Sequence, residues 1–441
     1  MRAEVHIIGG GLAGSEAAWQ IARAGKRAVL HEMRPVKSTA AHKTNALAEL
    51  VCSNSLKSEQ ENGAPWLLKE EMRRLGSLLI KEIAPRTRVP AGHALTVDRD
   101  LFAAEVTLAL QENSAIEIRR EEVTALDPEH IWIIASGPLT SDALAAEIAR
   151  LTGSQRLFFY DSISPIVDGE SIDTSIAFAA SRYGKSLDGT DDYLNCPFDK
   201  AEYDAFLDAL LAAENVPAHI GEDNIKYFEA CLPIEEIARR GRDTLRFGPM
   251  KPMGLTDPRT GRRPYAVVQL RSENARSGSF NLVGFQNHMR FGEQERVLRM
   301  IPGLRNAEFL RFGQVHRNTY INGPALLTPT LQLRTNANIF FAGQISGVEG
   351  YVESIATGLA AGLNAAELAC GGVSREFPRE TAIGSLCAYV SGADPANYQP
   401  ANITFDLLQK LENPPRDRKL RHAEVCRRAL AALEQHLYSH A

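Results

Sequence analysis

The sequence VHIIGGGLAGSEAAWQIARAGKRAVLHE, residues 5–32, has the pattern of a β-strand, an α-helix and a second β-strand. Residues 5–8 and residues 28–31 are short apolar runs, as expected of buried strands. Small residues recur at helical spacing between them. Three glycines in a GxGxxG spacing join the first strand to the helix, at Gly9, Gly11 and Gly14. This pattern predicts a βαβ unit that binds a dinucleotide.

The turn of this unit contains the first predicted cofactor contacts. Glycines let the backbone approach a pyrophosphate closely, and the start of the helix supplies N–H donors and a positive dipole. Glu32 ends the second strand, where an acid hydrogen-bonds the ribose hydroxyls. The residues predicted to contact the dinucleotide here are Gly9, Gly10, Gly11, Leu12, Ala13, Gly14 and Glu32.

A second glycine-rich segment, ANIFFAGQISGVEGYVESIATGLAAGLNAA at residues 337–366, favours FAD over NAD. It resembles the closing motif of flavoproteins of the glutathione-reductase superfamily, in which a helix directs its N-terminus at the flavin. The segment IWIIASGPLT, residues 131–140, resembles the strand and turn of that superfamily that pass close to the cofactor. We therefore predict an α/β fold with a Rossmann-like FAD-binding domain of this superfamily. The contacts predicted from the closing segment are Gly343, Gln344, Gly350 and Tyr351.

The FAD-binding segments lie towards both ends of the chain, which predicts that the middle is inserted into the nucleotide-binding domain. We expect a first part of this domain at residues 1–155, an inserted α+β substrate domain at 156–309, and a second part with a C-terminal tail at 310–441.

Composition restricts the class of protein. The 441 residues are 44% hydrophobic and 23% charged, typical of a globular protein, and the formal net charge of −5 argues against indiscriminate nucleic-acid binding. No signal-peptide core or membrane-span-length apolar run is present, so we expect a cytoplasmic protein. The six cysteines form no CxxC pair and no metal-ligand spacing, so we expect neither a disulfide framework nor a metal site.

One region departs from the acidic balance of the chain. Residues 239–280 contain ten Lys and Arg against three acids, so one face could meet an anion, although a solvated loop without a partner is the alternative.

Several longer strings resemble one family. Examples are ELVCSNSL, RVPAGHALTVDRDLF, FEACLPIEEIARRG, FGPMKPMGL, YAVVQLR, MIPGLRNAEFLRFGQVHRNTYIN and AGQISGVEGYVES. Together they resemble the folate- and FAD-dependent tRNA (uracil-5-)-methyltransferases, TrmFO, from about residue 3 to at least residue 370. The GidA/MnmG tRNA-modification enzymes are similar but carry a longer C-terminal helical extension than this chain holds.

The resemblance implies a reaction. It is methylation of uridine at C5, at position 54 of the tRNA T loop, giving 5-methyluridine. Methylenetetrahydrofolate donates the carbon, FAD carries it as a flavin N5-methylene, and NAD(P)H is the reductant. A cysteine adds to uracil C6, because uracil C5 is otherwise a poor nucleophile. No obligate protein partner and no membrane are implied.

The resemblance also implies roles for individual residues. Cys52 matches the family cysteine close to the flavin, which protects the one-carbon unit or assists as a base, and Cys231 matches the one that attacks uracil C6. An exchange of these two roles is the alternative. His316 is the first candidate for stacking on the folate and His42 the second. The residues expected to meet tRNA phosphates, by region only, are Arg246, Lys251, Arg259, Arg262 and Arg263.

Three other functions compete with this one. They are a TrmFO-like methyltransferase of ribosomal RNA, an FAD-dependent NAD(P)H oxidoreductase of a small molecule, and an RNA-binding chaperone that keeps FAD as a relic. The sequence contains no second complete GxGxxG and no CxxxxC redox pair, which weakens a disulfide-reductase interpretation.

Overall fold

The fold is described from a computed structural model of the chain. The residues described are 4–39, 41–153, 157–162, 164–216, 232–313 and 315–438. Cys231 lies outside them, and so do the side chains of residues 157–162 and 315–317.

The β-strands of the described residues are short. In chain order they are β1 (Val5–Ile8), β2 (Ala28–His31), β3 (Ser55–Ser58), β4 (Arg88–Val89), β5 (Ala94–Val97), β6 (Ile116–Arg119), β7 (Ile131–Ile134), β8 (Leu157–Ser162), β9 (Ile166–Asp168), β10 (Phe178–Ala179), β11 (Tyr193–Phe198), β12 (Ala266–Ser272), β13 (Ser279–Leu282), β14 (Phe309–Arg311), β15 (Val315–Tyr320), β16 (Gln332–Leu333) and β17 (Asn336–Phe341).

The α-helices vary more in length. They are α1 (Leu12–Arg23), α2 (Ala64–Arg74), α3 (Ala84–Arg86), α4 (Arg99–Gln111), α5 (Asp142–Thr152), α6 (Lys200–Ala212), α7 (Ile234–Arg239), α8 (Thr244–Phe247), α9 (Phe291–Leu298), α10 (Gly323–Leu326), α11 (Tyr351–Ala369), α12 (Ala382–Gly392) and α13 (Arg418–Tyr438).

A mainly parallel sheet forms the centre of the nucleotide-binding part, in the order β16-β17-β7-β1-β2-β6. Strand β1 is central and pairs in parallel with β2 and β7, with Val5 opposite both Ala28 and Ile131. All four residues of β1, β2 and β7 are buried, which explains their continuous apolar sequence. The predicted α/β fold with a Rossmann-like βαβ start is confirmed.

Helices α1 and α11 pack against each other across small residues. A Cβ atom at Gly358 of α11 would lie 2.2 Å from the carbonyl oxygen of Ala13 in α1. Both helices begin at the same edge of the sheet, because each follows a parallel strand. The close packing therefore brings the N-termini of α1 and α11 together at that edge.

A second sheet lies in the middle of the chain. Its order is β10-β11-β12-β13-β9-β14, and every described pairing within it is antiparallel. Helix α6 packs on it through Tyr203, Phe206 and Leu207, within a core separate from that of the parallel sheet. The strand pair β8 and β15 connects the two regions. The proposed boundaries at residues 155 and 309 stay a prediction.

Among the described residues, no helix is both long enough and apolar enough to span a lipid bilayer.

We predict that Gly358→Ala destabilises the protein. The new methyl group meets the backbone of Ala13, which cannot rotate away. Overpacking of this kind costs about 1–3 kcal/mol of unfolding free energy, and the higher helix propensity of alanine offsets only part of it. Thermal unfolding measures the effect.

The matched control is Gly392→Ala at the end of α12. A Cβ atom there meets nothing within 4 Å. This variant should keep or slightly raise the unfolding temperature. An equal change of unfolding temperature in the two variants would contradict the explanation from packing.

Candidate active site

A large cleft lies at the carboxyl edge of the parallel sheet. Loops after three strands line it: residues 9–13 after β1, 135–141 after β7 and 343–354 after β17. The space that it encloses is about 1030 Å³ when the open solvent at its mouth is included. Ligands of open α/β sheets bind at this edge. The cleft thus joins the three segments that the sequence singled out as cofactor-binding.

The turn after β1 fits a pyrophosphate. A Cβ atom at Gly14 would lie 1.9 Å from the carbonyl oxygen of Gly9, so only glycine permits this tight turn. Gly11 faces open space, and as the N-cap of α1 it provides no side-chain cap. The first amides of α1 therefore remain available to an anion.

Glu32 holds this turn in place. One carboxylate oxygen accepts a hydrogen bond from the Gly10 amide at 2.9 Å, and the other accepts two from Arg34, from its amide and Nε, both at 2.9 Å. Burial opposes ionisation, but the Arg34 hydrogen bonds and charge and the Gly10 amide outweigh it and lower the pKa of Glu32. The ionised carboxylate lines the cleft, where the ribose role predicted for it stays a prediction.

A buried histidine pair stands at the same end of the cleft. His31 Nδ1 lies 2.8 Å from Glu121 Oε1, and His31 Nε2 lies 3.0 Å from His6 Nδ1. Burial and the neighbouring His31 lower the pKa of His6 to about 4, so His6 is neutral at physiological pH. No motif in the sequence indicated this pair.

The start of α11 forms another part of the cleft. Gly350 is the N-cap of this helix and provides no side-chain cap. The hydroxyl of Tyr351 accepts hydrogen bonds from the amides of Cys52 at 2.7 Å and Ser53 at 3.1 Å. Val51 and Tyr351 line the cleft, and Cys52 beside them is half-buried. Tyr351 therefore fixes the loop of Cys52 against the N-terminus of α11.

Arginines of the antiparallel sheet hold the same loop from the other side. Arg311, at the end of β14, donates hydrogen bonds to the carbonyls of Val51 at 3.0 Å and Cys52 at 3.3 Å. Arg271 of β12 donates to Ser53 Oγ at 2.8 Å and to Asn54 Oδ1 at 3.0 Å. The loop at residues 51–54 thus lies between helix α11 and the antiparallel sheet.

Asn54 completes this contact. Its side chain is fully buried, and its amide nitrogen donates to the carbonyls of Val97 and Ser272, both at 3.0 Å. With the bond from Arg271, a single side chain joins three parts of the chain. The position of Cys52 therefore depends on β5 and β12 as well as on helix α11.

Comparison with known proteins gives the family. A family model described as glucose inhibited division protein A matches residues 4–372. A protein of Solibacter usitatus named methylenetetrahydrofolate–tRNA-(uracil-5-)-methyltransferase TrmFO is 71% identical, with all of both chains covered. A protein of the same name from Koribacter versatilis is 62% identical over 98% of this chain and 97% of its own.

This chain belongs to the TrmFO family.

A solved structure supports the fold. Aquifex aeolicus GidA superposes with a TM-score of 0.70 at 17% identity, covering 98% of this chain and 76% of that one. At this identity the likeness shows the fold alone, and it agrees with the FAD-binding fold predicted from the sequence.

The residues predicted to bind the cofactor fall into two groups. Those that line the cleft are Gly9, Gly11, Leu12, Ala13, Glu32, Gly343, Gln344 and Tyr351. Gly10, Gly14 and Gly350 stand behind them, where they bond Glu32, close the turn and cap α11, respectively.

Of the cysteines that the structure describes, Cys52 is the one beside the cleft. Burial raises the pKa of Cys196, Cys387 and Cys426 to about 12 each, so these remain protonated thiols. Cys370 is exposed at the end of α11, and Cys231, the second TrmFO cysteine of the sequence analysis, lies outside the described residues.

The two candidate histidines differ in what is described. His42 lines the cleft, and its Nδ1 lies 2.6 Å from Thr39 Oγ1. His316 lies in β15 opposite Asp161, and its side chain is outside the described part.

The basic residues also divide into two groups. Arg246 stacks on the ring of Tyr265, 3.7 Å from its centroid, and Arg259 pairs with Asp257 at 2.8 Å. Lys251, Arg262 and Arg263 are exposed and, within the described ranges, form no ion pair.

The sequence did not single out the arginines that hold the Cys52 loop, Arg271 and Arg311, or Arg99 near Cys52. Arg99, Arg271 and Arg311 all lie in strings quoted for the family resemblance, in RDLF, QLR and FLRFG. The signal was present, but only the fold shows that these segments meet.

We predict that Tyr351→Phe loosens the Cys52 loop. Two amides lose their shared acceptor, at a cost of about 1–3 kcal/mol. Alkylation of Cys52 by iodoacetamide should become about tenfold faster, as measured by mass spectrometry, with Cys370 as an internal reference.

The control is Tyr203→Phe, which removes a comparable hydrogen bond from a tyrosine hydroxyl to the carbonyl of Arg242. It lies in the core of the antiparallel sheet, so alkylation of Cys52 should not change. An unchanged rate in Tyr351→Phe would show that the hydroxyl does not restrain the loop.

Proposed function

We infer that this protein is a methylenetetrahydrofolate–tRNA-(uracil-5-)-methyltransferase. The observation that carries this conclusion is the identity of 71% and 62%, over essentially whole chains, to proteins with that name. The cleft with Cys52 at one end is the corresponding structural feature.

The cleft fits FAD. Its glycine turn, the uncapped start of α1 and the ionised Glu32 suit a pyrophosphate and a ribose, and the uncapped start of α11 suits the flavin. When bound, the flavin supplies redox and one-carbon chemistry next to Cys52. The backbone donors at the starts of α1 and α11 would hold the cofactor.

The chemistry of uracil requires a thiol. Addition of a thiolate at C6 makes C5 nucleophilic, so that C5 can take up the one-carbon unit. Removal of the C5 proton then expels the thiolate from C6, and a hydride that derives from NAD(P)H reduces the resulting methylene to the methyl group. We assign the addition to Cys231 and assign Cys52 to protection of the transferred carbon and assistance as a base. The cationic neighbours of Cys52, Arg99 and Arg311, form the kind of surroundings in which reactive cysteines occur.

The remaining participants are also proposals. His316 stacks on the folate, with His42 as the second candidate, and NAD(P)H is the reductant. The target is the uridine at position 54 of the T loop. Since tRNA and folates are used in the cytoplasm, we place the enzyme there.

The exposed cations of the antiparallel sheet support a surface for tRNA. Lys251, Arg262 and Arg263 precede β12, whose other end contacts the Cys52 loop through Arg271. The strand itself, of seven residues, spans about 20 Å. Such contacts position the RNA through its phosphates.

We predict that Cys52→Ala and Cys231→Ala each abolish formation of 5-methyluridine. The assay contains NADPH, methylenetetrahydrofolate labelled in its one-carbon unit, and unmodified tRNA, and mass spectrometry locates the label. Bound yellow flavin should remain, because neither cysteine is among the residues predicted to bind the cofactor.

Cys370→Ala is the matched control, since this exposed thiol lies at the far end of α11 and should not matter. Full activity of both site variants would refute the cysteine mechanism. Label in ribosomal RNA but not in tRNA would show that the substrate is ribosomal RNA. Oxidation of NADPH in the absence of RNA and folate would favour an oxidoreductase of a small molecule.

We predict that Lys251→Ala, Arg262→Ala and Arg263→Ala weaken tRNA binding without changing kcat. Each lost phosphate contact should reduce the slope of log K against log salt by about 1. Filter binding at several salt concentrations measures this slope.

Lys81→Ala is the control for charge alone, because Lys81 is exposed in the nucleotide-binding part, remote from the antiparallel sheet. Equal slopes for all variants would mean that the tRNA binds elsewhere.

A further inference from the structure

A second cavity lies beside the Cys52 loop. Its volume is about 670 Å³ when counted to its mouth. One part of its wall is apolar and is formed by Ala41, Ala46, Leu50, Ala103 and Ala104. The other part is cationic and is formed by Lys43, Arg99 and Arg311. Glu49 lines both this cavity and the large cleft, so the two are neighbours.

The cationic wall has an excess of positive charge. Arg99 pairs with Glu273 at 2.6 Å, and the carboxylate of Glu49 is engaged by Arg34 at 2.9 Å. Asp100, exposed in the first turn of α4, is the other acid of the lining. Arg311 and Lys43 form no ion pair within the described residues.

Two buried donors of this group also lack a partner. Nη1 of Arg99 and Nε of Arg311 are buried with no hydrogen-bond acceptor among the described residues. Unsatisfied buried donors are rare and call for a ligand or another partner. Burial, with Arg311 and Arg99 nearby, lowers the pKa of Lys43, which agrees with an uncompensated positive cluster.

We propose that this cavity binds the aminobenzoyl-glutamate tail of methylenetetrahydrofolate, with Lys43 and Arg311 on its carboxylates and the alanine-rich wall on its aromatic ring. The proposal rests on the function inferred above. Arg311 also donates to the carbonyls of Val51 and Cys52, so the cavity begins one guanidinium group away from the cysteine loop. A rigid aromatic spacer can bridge that interval to a pterin at the flavin.

The shape of the cavity favours this tail over an RNA phosphate. A phosphate needs only cations on a convex surface, whereas the cavity is recessed and half of its wall is apolar. Leu50 is 1% exposed and Ala103 is 4% exposed, so they form a buried floor. The aminobenzoyl-glutamate tail would use both kinds of wall, since its aromatic ring packs on the apolar part and its carboxylates pair with the cations.

The test compares ligands with and without the tail on the FAD-loaded enzyme. Calorimetry measures Kd for tetrahydrofolate and for tetrahydropterin, which lacks the aminobenzoyl-glutamate part. Lys43→Ala should raise Kd for tetrahydrofolate about tenfold, because a contact to a charged group of the ligand is lost, and should leave Kd for tetrahydropterin unchanged. Lys43→Arg should restore most of the affinity. Lys200→Ala, an exposed lysine of α6 paired with Asp204, is the matched control.

Turnover with tRNA supplies a second measurement. KM for methylenetetrahydrofolate should rise about tenfold in Lys43→Ala, with KM for tRNA unchanged. An unaltered Kd for tetrahydrofolate, or a raised KM for tRNA alone, overturns the proposal while leaving the proposed function intact. A wild-type enzyme that binds no tetrahydrofolate and methylates no tRNA overturns both.

Discussion

The arrangement of this protein depends on the hydrogen bonds that hold residues 51–54. On one side, the Tyr351 hydroxyl accepts hydrogen bonds from the amides of Cys52 and Ser53. On the other side, Arg271 and Arg311 donate hydrogen bonds to side-chain and carbonyl oxygens of the loop. A short loop without regular structure would otherwise be mobile. Because helix α11 and the antiparallel sheet both contribute, the thiol has a defined position only when both parts of the molecule are folded.

Parallel strands explain how distant segments reach this place. Strands β1, β7 and β17 are neighbours in one sheet and all end at the same edge, so the loops that follow them meet. The close contact of Gly358 with Ala13 then brings the starts of α1 and α11 together. The position of the cofactor cleft therefore follows from the order of the strands, and few side chains determine what binds in it.

The fold and the cleft could be predicted because their signals are local. The glycine spacing at residues 9–14 and the segment at 337–366 each encode a strand, a turn and a helix within one stretch. The hydrogen bonds that hold the Cys52 loop could not be predicted in the same way. Arg271 and Arg311 meet this loop only after more than two hundred intervening residues have folded, and nothing in their own neighbourhood indicates the contact. The sequence strings that resemble the TrmFO family contain both arginines, but these strings do not show which residues the arginines contact.

Asn54 has a consequence for how such enzymes diversify. Its amide nitrogen donates to the backbone carbonyls of Val97 and Ser272, which any residue at those positions supplies, whereas its oxygen accepts from the side chain of Arg271. Replacement of either Asn54 or Arg271 alone therefore leaves a buried polar group without its partner. Asn54 and Arg271 should consequently change together across lineages. A chimaera of two relatives that differ at these two positions would leave one of the two side chains without its partner where the parts meet.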